Sequence, residues 1–161
     1  DGLHAEPHSL DLLLRLARLS TPPHALDYYR RLSDLELTPV GTVRALGEYT
    51  ETGFAFGDTV LGDEAAKTDP ASAAAYYARA AHVLEQYADN GGSQNGQQAA
   101  LHNNKADPQE ETSLRGLYQH VLPAWIAVAP PDQRAALRQR QEKYGRIYDA
   151  LIAQSSKSGT L

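Results

Sequence analysis

Four groups of residues have the right types for chemistry, and in none does the spacing complete a known device. The first is GFAFGDTVLGDE, residues 53–64, where Asp58, Asp63 and Glu64 follow Phe54 and Phe56. A calcium loop takes oxygen ligands at alternate positions and closes on a distal acid. Here Val60 and Leu61 lie between the acids, so that pattern fails. The glycines do not build a phosphate cradle either, because neither GxxxxGK followed by Ser or Thr nor GxGxxG is present. Two readings remain for this stretch. In one, it is a turn whose phenylalanines plug the core. In the other, Phe54 and Phe56 point outward, with Asp58 beside them, as a knob for a partner.

The histidines form the second group. His4 and His8 stand four apart, but Pro7 between them spoils a rigid metal pair. His82 shares a helical pattern with Glu85, and His120 follows Tyr118 closely; none belongs to HExxH or another zinc pattern. There is no GxSxG elbow for a serine nucleophile. An enzyme built on this chain would need polar groups converging between helices, with Asp58, Asp63, His82 and His120 as first suspects. The third group is the polar stretch over 89–106. Asn90-Gly91-Gly92 is a helix stop, and GQQAALHNN has helix formers for about two turns before Asn103-Asn104 ends them. Its side chains offer amides, not nucleophiles. It is a connector or a binding loop, and in the second case Gln97, Gln98 and His102 are the contacts. The fourth group is RAALRQRQEKYGRIY, where Arg134, Arg138, Arg140, Lys143 and Arg146 make one segment basic. That segment is a nucleic-acid or anionic-lipid surface, or a solvated face that pairs with the acidic N-terminal half.

The totals narrow these choices. Of 20 acids and 15 bases, residues 1–80 hold 12 and 7 and residues 81–161 hold 8 and 8. Neither half has the basic excess that grips nucleic acid without regard to sequence. No apolar run approaches the roughly 20 residues that span a bilayer. Cysteine is absent, which removes disulfides, thiolate metal sites and a thiol nucleophile. Methionine is absent too, position 1 included, so the expectation is a processed chain or a piece cut from a longer one. No cofactor or metal is implied.

What must position these residues is a set of helices announced by proline. Thr21-Pro22, Thr38-Pro39, Asp69-Pro70 and Asp107-Pro108 each put a capping side chain before proline, and Pro130-Pro131 precedes Asp132. Proline is tolerated at the first helical position because its missing N–H has no partner there anyway. The Thr or Asp before it can accept from the next free N–H groups. Between these starts the apolar residues recur at helical spacing. Leucines fill 9–19; Leu26, Tyr29 and Leu32 share a face; Tyr76, Ala80, Val83, Leu84 and Tyr87 mark the best-formed helix, over 70–88. Leu114, Leu117, Tyr118 and Val121 align ahead of Pro123, which should end or kink their helix. Leu137, Tyr144, Ile147, Tyr148 and Leu151 align in the last. Only 48–61 alternates in a β-like way, and Gly53 and Gly57 interrupt it. Two similar segments, HALDYYRRL at 24–32 and AAAYYARAA at 73–81, lack a third copy and are read as chance in Ala- and Leu-rich helices.

One segment, YQHVLPAWIAVAPPDQRAALRQRQEKY at 118–144, resembles a helical region of dermonecrotic-toxin-like secreted effectors of pseudomonads. The matching positions are Leu122, Pro123, Trp125, Asp132, Arg134 and Leu137. Ile126 stands where leucine is usual, and the turn is Pro-Pro instead of Ser-Pro. The resemblance covers under a fifth of the chain. It implies a bacterial secreted effector or a toxin's accessory helical domain, hence export to the periplasm, the exterior or a host cell in preference to the cytoplasm. It carries over no catalytic residue.

The expected fold is all-α: a compact bundle of about six helices in one domain over 1–154, with an irregular insertion at 53–64, a long polar loop at 89–106 and a frayed tail at 155–161. The expected function is a non-enzymatic protein-interaction module whose partner is another protein. Phe54, Phe56, Asp58, Gln97, Gln98, His102 and Trp125 are its candidate contacts. A small enzyme with a site between helices is the first alternative, and nucleic-acid or membrane-surface binding through the last helix is the second.

Overall fold

The computed structural model of the protein describes residues 10–36, 48–89 and 108–158. Among them the protein is all-α, with six helices and no strand. Helix α1 is Leu10–Leu19, α2 is His24–Glu36, α3 is Glu48–Ala65 and α4 is Pro70–Asp89. Helix α5, residues 108–128, is continuous through Pro108–Gly116, a π-helical turn Leu117–Val121, and Leu122–Val128; α6 is Pro131–Ser158. The polar stretch 90–107, the start expected at Pro39, and His4 and His8 lie outside the described residues.

The proline starts hold at α4, α5 and α6, each of which begins on its proline. At α4 the cap is visible: the Asp69 carboxylate accepts from the Ser72 N–H at 3.2 Å and from the Ser72 hydroxyl. Those bonds stabilise the ionised form and hold Asp69 below the usual carboxylate range. Helix α2 starts later than Pro22, at His24, although the Ala25 N–H already donates to the Thr21 carbonyl at 3.2 Å. At the far end α6 runs on through Ser158, so 155–158 are helix where a frayed tail is expected. The chain divides into two compact units, residues 1–80 and 81–161, a division that the sequence analysis does not anticipate.

In the first unit α1, α2 and α3 pack on one another. Leu13, Leu14 and Ala17 of α1, Ala25, Tyr29 and Leu32 of α2, and Phe54 and Leu61 of α3 form a common core. Burying each leucine contributes about 1.5–3 kcal/mol. The irregular insertion expected at 53–64 is a correction, because that stretch lies inside α3. Its glycines are contact surfaces, not breaks. A Cβ at Gly53 would meet the Leu14 side chain, one at Gly57 the Tyr29 ring, and one at Gly62 would lie 2.6 Å from Cε1 of Tyr77. Gly53 and Gly57, one turn apart, admit α1 and α2; Gly62, about half a turn round, admits α4. A helix buried on several sides shows no single apolar stripe, which is why its periodicity is faint.

In the second unit α6 packs along all three parts of α5. Leu137, Tyr144 and Leu151 of α6 are buried at a seven-residue spacing, and Leu114, Leu117, Val121 and Leu122 of α5 are buried with them. Pro123 does not end α5. The helix widens to a π turn just before it, and the Leu122 N–H donates to the Leu117 carbonyl, five residues back. The corner between α5 and α6 is closed by Arg134, whose Nε donates to the Ala129 carbonyl at 3.0 Å.

Candidate interaction surface

Helix α1 buries Leu13, Leu14 and Ala17 and therefore turns Arg15, Arg18 and Leu19 outward. Residues three and four apart share a helix face, so these three stand together. Leu19 is 84% exposed and Phe56 of α3 is 46% exposed; among the described residues these are the large apolar side chains left in water. Arg18 relates the two. It follows α1 to its end beside Leu19, and its Cζ lies 5.4 Å from the centroid of the Phe56 ring. Beneath, Tyr29 meets Phe56 edge to face with ring centroids 5.8 Å apart. Burial pushes the Tyr29 hydroxyl above its ordinary pKa, and the nearby Arg18 charge works against that rise. The Phe56 ring is thus fixed from below by a buried tyrosine and covered at one side by a cation.

Two polar clusters lie elsewhere. In the first unit Asp58 is 1% exposed, and Arg79 Nη2 of α4 lies 3.7 Å from its carboxylate. The same guanidinium donates to the Ser33 carbonyl at 3.0 Å, so one cation joins α2, α3 and α4. Nearby, the Tyr77 hydroxyl donates to Asp63 at 2.6 Å, and burial followed by that bond raises its pKa. In the second unit Arg140 donates through Nε to Glu85 at 3.0 Å and again through Nη2. Its guanidinium lies 4.8 Å from the Trp125 ring centroid. The Tyr144 hydroxyl donates to Asp89 at 3.1 Å, and Lys143 lies 3.4 Å from the same carboxylate.

The residues expected to form a site are distributed as follows. Phe54 is 3% exposed and belongs to the core, so only Phe56 of the pair faces outward. Asp58 is buried with Arg79 rather than presented. Trp125 is half-buried under Arg140. Gln97, Gln98 and His102 lie outside the described residues. Among the enzyme suspects, Asp63 serves Tyr77, and His82 and His120 are on exposed faces. Among the described residues no three acidic or histidine side chains gather where a metal could sit. The basic last helix spends Arg134 on Ala129, Arg140 on Glu85 and Lys143 on Asp89. Those acids follow residue 80, so these pairs form within the second unit, not with the acidic N-terminal half.

Arg18 and Leu19 escape the sequence reading. A usable signal is present in SLDLLLRLARL: six leucines in eleven residues exceed what one buried face accommodates, so one is left in water. No described helix is long and apolar enough to cross a membrane. No family model, curated protein or solved structure matches this chain.

Proposed function

We propose that the protein is a non-enzymatic protein-interaction module, of the bacterial secreted-effector or toxin-accessory kind that residues 118–144 resemble. One observation carries this reading: Phe56 stands outward on a fixed support, flanked by Arg18, with Leu19 exposed beside that arginine. Aromatic and arginine side chains dominate the binding energy of many protein interfaces, where they fill well-packed positions from which water is excluded. Support also comes from the use of the other polar groups. Asp58, Glu85, Tyr77 and Tyr144 hold helices together, which leaves them unsuited to turning over a substrate.

The test places a photo-crosslinking amino acid at position 56 and, as a control, at the exposed Arg138, in cells of the source organism. A single protein adduct at 56 and none at 138 is expected. The adduct partner is then purified, and calorimetry measures its affinity for the wild-type chain and for Phe56→Ala. The variant is expected to bind at least about tenfold more weakly, as for an anchor residue. Equal adducts at both positions, or equal affinities, would reject the reading.

A further inference from the structure

The contact surface around Phe56 also specifies the chemistry of what covers it, and this step rests on the interaction reading above. Arg18 is a planar cation whose donors suit a carboxylate. Among the described residues the group it meets is the ring of Phe56 rather than an acid. Arg140 also lies over a ring, that of Trp125, but its guanidinium reaches a carboxylate as well, as do Arg30 on Asp27, Lys67 on Glu64 and Arg79 on Asp58. Beside Arg18 two large apolar side chains face water. Leu19 and Phe56 are exposed, and Arg15 stands one turn from Arg18 on the same face of its helix. A cation lying over an exposed phenylalanine and beside an exposed leucine is complementary to a carboxylate set among apolar side chains.

We infer that the surface of Arg18, Leu19 and Phe56 binds an acidic amphipathic helix of another protein, with a carboxylate on the Arg18 guanidinium and leucine-like side chains against Phe56 and Leu19. A helix fits because apolar anchors one turn apart, with an acid three or four residues away, present both chemistries on one face. The ion pair forms at the edge of an apolar contact, where water is partly excluded and screening is reduced. It supplies orientation and partner choice, while the apolar side chains supply most of the affinity.

The test uses the full chain and two labelled synthetic helices, read by fluorescence anisotropy. One helix has a leucine face flanked by glutamates; the other has lysine in place of every glutamate. Vesicles of phosphatidylserine and phosphatidylcholine form a third arm. The wild-type chain is expected to bind the acidic helix and to bind the basic one at least about tenfold more weakly. Arg18→Glu reverses that order, and Phe56→Ala weakens the acidic helix about tenfold, with circular dichroism unchanged in both variants. The charge reversal is the decisive arm, because a misfolded variant cannot gain a new ligand. Equal binding of the two helices, or no effect of Arg18→Glu, overturns the inference. So does vesicle binding that is lost in Arg18→Glu while the acidic helix fails to bind, which would make the surface a lipid contact. The two levels separate on the crosslinked partner. If its affinity falls with Phe56→Ala but not with Arg18→Glu, the acidic helix is wrong and the interaction module stands. If neither variant changes it, both fall.

Discussion

Each unit of the chain ties its helices together with arginine and carboxylate, and the two do it differently. In the first, Arg79 answers a carboxylate that is 1% exposed. In the second, the Glu85 side chain is 18% exposed and Arg140 36%, and the charge is spread over Glu85, Asp89, Arg140, Lys143 and the Tyr144 hydroxyl. The chemistry is similar, but the stakes are not. Water can replace a lost partner in the second cluster and cannot reach Asp58. A buried charge that loses its counter-charge bears its whole desolvation cost, whereas a half-exposed one recovers most of it.

The largest expected effect is therefore at Asp58 and Arg79. Arg79→Met leaves the carboxylate buried without its cation and should cost about 3–5 kcal/mol in urea unfolding. Replacing both, Asp58→Leu with Arg79→Met, should recover most of that loss, because apolar residues of similar volume bear no desolvation cost. A double variant as unstable as the single one would show that Arg79 acts through the Ser33 carbonyl instead.

Steric demand without charge comes next. At Gly62→Leu the new side chain meets the Tyr77 ring, whose Cε1 would lie 2.6 Å from the added Cβ. Overpacking of this kind should cost about 1–3 kcal/mol. Pairing it with Tyr77→Ala should relieve part of the cost, and strict additivity in the double-mutant cycle would refute the contact. In the second unit the changes should be smaller. Arg140→Met should cost about 1 kcal/mol or less, since water reaches both members of the pair and the methionine still covers Trp125. If Arg140→Met proves as costly as Arg79→Met, burial is not what separates the two clusters.

How much of this was legible in the sequence follows from the same distinction between local and distant causes. The starts of α4 and α6 are written in neighbouring residues, Asp69-Pro70 and Pro131-Asp132, and local chemistry suffices to read them. The α2 and α6 stripes are legible because each helix buries one face. Helix α3 is not, since Gly53, Gly57 and Gly62 look like breaks until Leu14, Tyr29 and Tyr77 are seen against them. The expectation that Pro123 ends or kinks its helix does not include the π turn that precedes it. Asp58 and Arg79, or Glu85 and Arg140, are too far apart along the chain for any spacing rule to pair them. Of the candidate contact residues, Phe56 stands outward while Phe54 and Asp58 turn inward. That choice is fixed by which side of α3 meets α1 and α2, and alternation in GFAFGD cannot supply it.

A small effect at neutral pH becomes larger in alkali, and it sharpens the comparison at the two tyrosines. Tyr77 and Tyr144 both have hydroxyl pKa values raised above 10.0, first by burial and then by the acids they bond. A folded-state pKa above the unfolded one means that the native state holds its proton more tightly. The stability this contributes is complete below pH 10 and is lost as the pH climbs past it. Unfolding titrations should show stability falling above about pH 10, a decline set by the unfolded tyrosine's own pKa. Tyr144→Phe removes one such proton and should flatten the decline, at a neutral-pH cost of about 0.5–1.5 kcal/mol for the lost Asp89 bond. Tyr77→Phe should flatten it as well, through the bond to Asp63. The two should add, because one tyrosine answers to Asp63 in the first unit and the other to Glu85 and Asp89 in the second. An alkaline slope unchanged in both variants would place the loss on other groups and detach the tyrosines from the acids beside them.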